Sequence, residues 1–216
     1  MDKQLVVQKT MDYLKDKLKG EGTGHDWWHM YRVYKNAVHI AQSEDVDMFL
    51  IELAALLHDI ADYKFTNGDE NEGSRQTRAW LESLNVDEDV IQNVCDIVKL
   101  VGFKGGGNPP MRTYEGMVVE DADRLDAMGA IGIARAFAYG GHMKREIYNP
   151  DVKPNVGMTK EEYKKNMGSS INHFYEKLLL LKDRMNTQTA KKMAEKRHEF
   201  MEAYLEEFFK EWEGEV

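Results

Sequence analysis

The sequence predicts an all-α protein that folds as a single helical domain of six to nine helices over residues 1–216. Apolar residues recur at helical spacing along most of the chain, and no segment alternates convincingly between apolar and polar residues as a half-buried strand would. A chain of 216 residues suits one domain, and a hydrophobic fraction of 42% is enough to form a substantial core. We expect a main bundle over about residues 20–140, with C-terminal helices at about 159–212 packing on it.

The first half of the chain predicts five helices, and the first three have residues at one end that favour a helix end. The first helix ends at Gly20–Gly24, because glycine readily adopts the left-handed conformation found after a helix. Asp26 is a favourable N-cap for the second helix, and Asp45 or Asp47 for the third. The third is apolar on nearly every side, so it is expected at the centre of the bundle. The five predicted helices contain the stripe from Val7 to Leu18, then Asp26 to Ile40, Met48 to about Ile60, Gly73–Leu84 and Asp87–Val101.

The second half predicts three further helices and two long loops. Residues 102–110 contain three consecutive glycines and two prolines, which break regular structure, and residues 140–158 form the second loop. Loops of this length in a compact domain are usually functional. The predicted helices are Glu115 to about Tyr139 with a kink near Gly129 or Gly132, one from the capping box Thr159–Glu162 to about Met185, and a last helix capped by Asn186-Thr187.

The net charge and the cysteine content indicate which partners and which cellular compartment to expect. A net charge of −9 argues against a nucleic-acid polymer, whose binding depends on a basic face, but allows a small anion in a local basic pocket. A single cysteine, Cys95, and an N-terminal segment unlike a secretion signal favour the cytoplasm. The longest apolar run, Met48–Leu57, is too short to span a bilayer, so no membrane partner is expected. The aromatic C-terminal helix is compatible with a homodimer.

Histidine and aspartate residues are distributed in a pattern that suits a divalent metal ion. His29 lies on the second predicted helix, and His58-Asp59 ends the apolar third helix. Buried polar groups need partners, and imidazole with carboxylate suits Mn²⁺, Fe²⁺, Co²⁺, Ni²⁺ or Zn²⁺. The alternative is that these two residues only satisfy nearby backbone groups.

The residues alone leave two choices open within this pattern. His25-Asp26 is a second His-Asp pair, but it follows a glycine-rich turn, where Asp26 reads most simply as an N-cap. A zincin site through His25 and His29 would require glutamate directly after the first histidine. On the later helix, Asp123 and Asp126 can face one cavity, whereas Asp121 lies about 200° around the helix from Asp123.

The motifs around these residues resemble the HD-domain metal-dependent phosphohydrolases, and in particular a small bacterial branch of the YpgQ and YedJ type. The resemblance covers almost the whole chain, and its motifs are His25-Asp-Trp-Trp-His29, His58-Asp-Ile-Ala-Asp62, Asp121–Arg135 and Tyr139-Gly-Gly141. It implies an α-helical hydrolase whose metal ligands are His29, His58, Asp59 and Asp123.

The resemblance also implies one metal ion and a catalytic acid-base group. Two-metal relatives add histidines between the doublet and the distant aspartate, and this chain has none from Ile60 to Glu120. Mn²⁺ is the expected ion, with Mg²⁺, Fe²⁺, Co²⁺, Ni²⁺ and Zn²⁺ as alternatives. Asp62 is the expected general base beside the catalytic doublet His58-Asp59, although many relatives carry glutamate at this position.

Phosphate groups in an acidic protein need local cations. Lys64, Lys104 and Arg135 match motifs of the branch, Arg32 lies one turn after His29, and Asp126 is a further candidate for substrate contact. Trp27 and Trp28 could stack on a base, although adjacent aromatic residues that open a helix more often belong to the core.

The function implied is hydrolysis of a nucleoside triphosphate to a monophosphate and pyrophosphate by a metal-activated water. A nucleoside monophosphate phosphatase and a cyclic nucleotide phosphodiesterase would use the same residues. A nucleotide- or metal-binding regulatory module is the non-enzymatic alternative.

Overall fold

The computed structural model describes residues 1–20, 26–61, 69, 71–101, 110–159, 162, 166 and 168–216. All regular structure within these residues is helical, which confirms the predicted fold class. The chain forms two compact units, Met1–Asp123 and Arg124–Val216. Among the described helices, none combines the length and the apolar character needed to cross a membrane.

The first unit contains the helices predicted for the first half of the chain. Asp26 caps α2, since its Oδ1 accepts a hydrogen bond of 2.9 Å from the His29 backbone N–H. Asp47, rather than Asp45, caps α3 by accepting from the Phe49 backbone N–H at 2.9 Å. The helices are α1 (Lys3–Lys17), α2 (Trp27–Ala41), α3 (Met48–Leu57), α4 (Glu72–Ser83), α5 (Glu88–Leu100) and α6 (Tyr114–Asp126), whose last three residues belong to the second unit.

Helix α3 is the centre of the first unit, as its composition predicts. Its residues Leu53–Leu57 are fully buried. The Tyr34 hydroxyl of α2 donates a 3.0 Å hydrogen bond to Glu52 of α3, and burial together with this carboxylate raises the pKa of Tyr34 to about 12. The two helices that carry His29 and lead to His58 are therefore packed against each other and joined by a polar contact.

The predicted helix from Glu115 to Tyr139 is two helices in the structure, so the prediction of one kinked helix was wrong. The break nevertheless falls at Gly129, one of the two glycines at which a kink was expected. Helix α6 ends at Asp126, and α7 (Gly129–His142) begins after a two-residue break. Gly129 has a φ of +67°. This left-handed conformation is unfavourable in free energy for a residue with a side chain, but not for glycine. The second helix can begin at this residue because glycine permits the conformation.

The prediction of one helix from Thr159 to Met185 was also wrong. The capping box forms, with Thr159 N–H donating to Glu162 at 2.8 Å and Glu162 N–H donating to the Thr159 hydroxyl at 3.3 Å. A new N-cap then appears at Ser169, whose hydroxyl accepts from the Asn172 N–H at 3.1 Å. The described elements that follow are α8 (Ser170–Glu176), a 3₁₀ helix (Leu178–Arg184) and α9 (Gln188–Glu213), which Thr187 caps as predicted.

Candidate metal centre

His29 lies in the first turn of α2, where the helix N-cap fixes its backbone. Asp26 binds the His29 N–H, so the second His-Asp pair of the sequence supplies a helix cap at its aspartate, as predicted. His25 lies outside the described residues. The His29 side chain is only 1% exposed, so its imidazole is held inside the first unit.

His58 directly follows the buried helix α3, and its imidazole is oriented by the main chain. Nδ1 lies 2.8 Å from the Ala55 carbonyl oxygen. A carbonyl only accepts hydrogen bonds, so Nδ1 carries a proton, and in the neutral imidazole Nε2 then has its lone pair available. Nε2 is buried and has no hydrogen-bond partner among the described residues. This is the arrangement in which histidine binds a metal ion, with one nitrogen held by a backbone acceptor and the other available as ligand.

Three ligand atoms meet at this point. One nitrogen or oxygen from each of His29, His58 and Asp59 lies within 4.8 Å of the other two, and this group could hold a metal ion. The two imidazole rings approach edge to face, with centroids 5.2 Å apart. Both histidines are buried and Asp59 is half-buried.

Asp123 of α6 contributes a fourth group next to both histidines. Its Oδ1 lies 3.6 Å from Nε2 of His29 and 3.7 Å from Nε2 of His58. These distances are too long for hydrogen bonds. Two ligands of one ion, each about 2.0–2.2 Å from it, lie roughly 3–4 Å apart, so the spacing fits a shared metal ion.

The neighbouring aspartates of α6 have different surroundings. Asp121 is fully buried, and Asp126, three residues after Asp123, is 1% exposed. Asp126 accepts a 2.8 Å hydrogen bond from Arg135 of α7, within the second unit. Asp123, the residue that the resemblance indicates as the distant metal ligand, lies beside both histidines.

Three of the predicted site residues, Asp62, Lys64 and Lys104, lie outside the described residues. Arg32 lies on α2 one turn after His29 and is half-buried. Cys95 of α5 is buried, and burial raises the pKa of its thiol.

One charged residue of the second unit was missed as a candidate. Arg197 of α9 donates to the backbone carbonyl of Leu125 at the C-terminal end of α6, and burial lowers the pKa of its guanidinium, an effect that Asp126 opposes. Its side chain also packs on Gly129. The sequence carries one signal that Arg197 packs against its own unit, since it stands in the helical register of the apolar residues Met193 and Met201.

Comparison with known proteins identifies the family. Residues 27–128 match the family model for the HD domain. The chain is 35% identical over 211 residues to YpgQ of Bacillus subtilis, covering 96% of this chain and 94% of YpgQ. A crystal structure of that protein in complex with ADP superposes with a TM-score of 0.76, covering 98% of this chain and 97% of that one at 33% identity.

Two other crystal structures are similar over nearly their whole length. A protein of Lactobacillus plantarum has a TM-score of 0.85 at 36% identity, covering 98% of this chain and 99% of that one. An HD-superfamily hydrolase from Bacillus thuringiensis has a TM-score of 0.77 at 43% identity, with the same coverage. The residues that approach one another at the candidate metal centre all lie inside the segment matched by the family model. The chain therefore belongs to the HD-domain family, in the branch that contains YpgQ.

Proposed function

We propose that the protein is a metal-dependent phosphohydrolase of the cytoplasm that converts a nucleoside triphosphate into a monophosphate and pyrophosphate. The observation that carries the proposal is the convergence of His29, His58 and Asp59 beside Asp123, with a buried nitrogen of His58 that no described group satisfies. The family relationship supports hydrolysis, and the ADP complex of YpgQ supports a nucleotide as the ligand.

In this proposal one divalent ion is held by those four side chains. Two imidazoles and two carboxylates form a donor set that suits Mn²⁺, the first choice, as well as Fe²⁺, Co²⁺, Ni²⁺ and Zn²⁺, while Mg²⁺ remains an alternative. When bound, the ion would polarise a phosphoryl oxygen and make water a better nucleophile at neutral pH.

The remaining chemistry is assigned to residues of this chain. Asp62, three residues after Asp59, accepts the proton of the attacking water. Lys64, Lys104 and Arg32 neutralise the phosphate charge that develops during cleavage. Arg135 and Asp126 are the further candidates for substrate contact, and their ion pair fixes the orientation of the Arg135 guanidinium.

The experiment that tests the proposal is product analysis with Mn²⁺ over a panel of nucleoside tri-, mono- and cyclic phosphates. Pyrophosphate and orthophosphate are quantified separately. We expect pyrophosphate from triphosphates with the wild type and none with the Asp59→Ala variant. Asp16→Ala, which removes an exposed carboxylate from α1, is the matched control and should keep full activity.

The other products would each redirect the assignment. Orthophosphate from monophosphates would identify a phosphatase that uses the same site. Opening of cyclic nucleotides would identify a phosphodiesterase. If the assay is repeated with each of the six candidate metals, nucleotide binding without any product would identify a regulatory module and overturn the enzymatic proposal.

A further inference from the structure

The first turns of α2, the helix that carries His29, expose aromatic side chains. Trp28 is 57% exposed and Tyr31 is 36% exposed, while Trp27 is half-buried. The rings of Trp28 and Tyr31 meet edge to face with centroids 6.1 Å apart, and Trp27 lies 5.8 Å from Tyr31. The expectation that Trp28 belongs to the core was therefore wrong. The indole of Trp28 is exposed to solvent and contacts the neighbouring ring of Tyr31.

Helix geometry orders this surface relative to the metal ligands. Successive residues of an α-helix are rotated by about 100° around its axis. Measured from Trp28, Arg32 lies about 40° around the helix and His29 about 100° in the same direction. The surface of α2 therefore carries a metal ligand, a cationic side chain and an exposed aromatic ring in that order, within about one quarter of its circumference.

We propose that Trp28 stacks on the base of the nucleotide substrate, with Tyr31 holding the indole in place. The inference rests on the proposed function and names the part of the substrate that α2 recognises beyond its phosphates. A nucleotide has phosphates at one end and a planar base at the other, and the order of residues on α2 matches that layout. Stacking on an aromatic ring is tolerant of base identity, because every base has a π-face. The site is therefore expected to accept several nucleobases.

The test measures binding and does not depend on turnover. Dissociation constants for ADP and for inorganic pyrophosphate are measured in the presence of Mn²⁺ by calorimetry. Trp28→Ala loses one base–aromatic stack, so we expect its dissociation constant for ADP to be about tenfold or more above that of the wild type. Pyrophosphate, which has no base, should bind Trp28→Ala as it binds the wild type. Trp28→Phe keeps an aromatic face and should retain most of the affinity for ADP.

Trp212→Ala is the matched control, because Trp212 is 47% exposed but lies on α9 at the C-terminus. It should bind both ligands as the wild type does. Unchanged ADP binding by Trp28→Ala, or equal weakening of ADP and pyrophosphate, would overturn the proposal. If the wild type binds ADP through Trp28 but hydrolyses no nucleotide, the stacking inference stands and the proposed reaction fails. If the wild type hydrolyses triphosphates and Trp28→Ala binds ADP normally, the reaction stands and the stacking inference fails. A wild type that binds no ADP at all overturns the stacking inference, whereas the proposed reaction is decided by the product analysis alone.

Discussion

Replacing His58 by leucine separates the metal-binding role of this residue from its role in packing. The imidazole carries one buried nitrogen without a partner among the described residues, and such an atom lowers the free energy of unfolding by about 1–3 kcal/mol. The same ring makes a 2.8 Å hydrogen bond to the Ala55 carbonyl, and such a bond contributes about 0.5–1.5 kcal/mol. The two effects oppose each other. Without metal, we expect His58→Leu and the wild type to differ in free energy of unfolding by less than about 2 kcal/mol.

With metal, the two proteins should diverge. An ion that binds only the folded state stabilises it by about 2.7 kcal/mol when its free concentration is 100 times Kd. For a chain of this length, 1 kcal/mol shifts Tm by about 2–4 °C. Mn²⁺ is therefore expected to raise the Tm of the wild type by about 5–11 °C and to leave that of His58→Leu unchanged.

The measurement is a thermal melt of chelator-treated protein, repeated at increasing concentrations of Mn²⁺ and of the other divalent ions. Asp16→Asn serves as a control that should show the full metal-dependent shift. A His58→Leu protein with the wild-type shift would show that His58 is not a ligand. A metal-free variant destabilised by more than about 4 kcal/mol would show that the imidazole is needed for packing, as a large core deletion would be.

Two further predictions concern the second unit. Gly129→Ala should lower the free energy of unfolding in urea by about 1–2 kcal/mol or more, because it places a side chain at a φ of +67° and brings its Cβ to 3.1 Å from the Arg197 side chain. Gly141→Ala, on the same helix with no atom within 4 Å of the new Cβ, should instead be neutral or stabilising. The pKa of His173 is lowered from 6.5 to about 3, first by burial and then by Lys177 and Arg145, so the unfolded state binds this proton more readily. The stability from a neutral His173 is complete above pH 6.5 and is lost as pH falls from there toward 3. In chemical denaturation at a series of pH values, His173→Gln should show a shallower loss over that range, and an unchanged slope would contradict the assignment.

The parts of the fold predicted correctly from sequence are those that depend on neighbouring residues. Asp26, Asp47 and Thr187 begin helices because each side chain binds a backbone N–H two or three residues later. The capping box at Thr159 forms for the same reason. Such contacts are written in the local sequence, so spacing and residue type are enough to find them.

The break before Ser169 was missed because it depends on contacts between residues further apart. The buried carboxylate of Glu176 accepts from the Asn155 backbone N–H at 3.1 Å and from the Asn166 side-chain amide at 2.7 Å. These bonds hold non-helical segments in place, and helical periodicity contains no information about them. The pairing of such groups is decided by tertiary packing.

The candidate site divides in the same way. His58 and Asp59 stood out because polar residues at the end of an apolar helix need a partner. Asp123 could be preferred over Asp121 by helix geometry and by the resemblance. Arg197 was missed because its acceptor, the Leu125 carbonyl, lies 72 positions earlier in the chain and belongs to the backbone. A hydrogen bond to a distant backbone carbonyl leaves no pattern of side chains that a sequence motif could show.

The orientation of His58 has a consequence for how this site tolerates genetic change. In many metal sites a carboxylate side chain holds the outer nitrogen of the ligand histidine, and one substitution removes it. Here the acceptor is the carbonyl of Ala55, which every amino acid at that position would also supply. Substitution at residue 55 therefore keeps the acceptor as long as α3 keeps its path, whereas a proline within the helix, or a side chain too large for the fully buried position of Ala55, would displace it. The support of this ligand is encoded by the path of the helix and does not depend on one particular side chain.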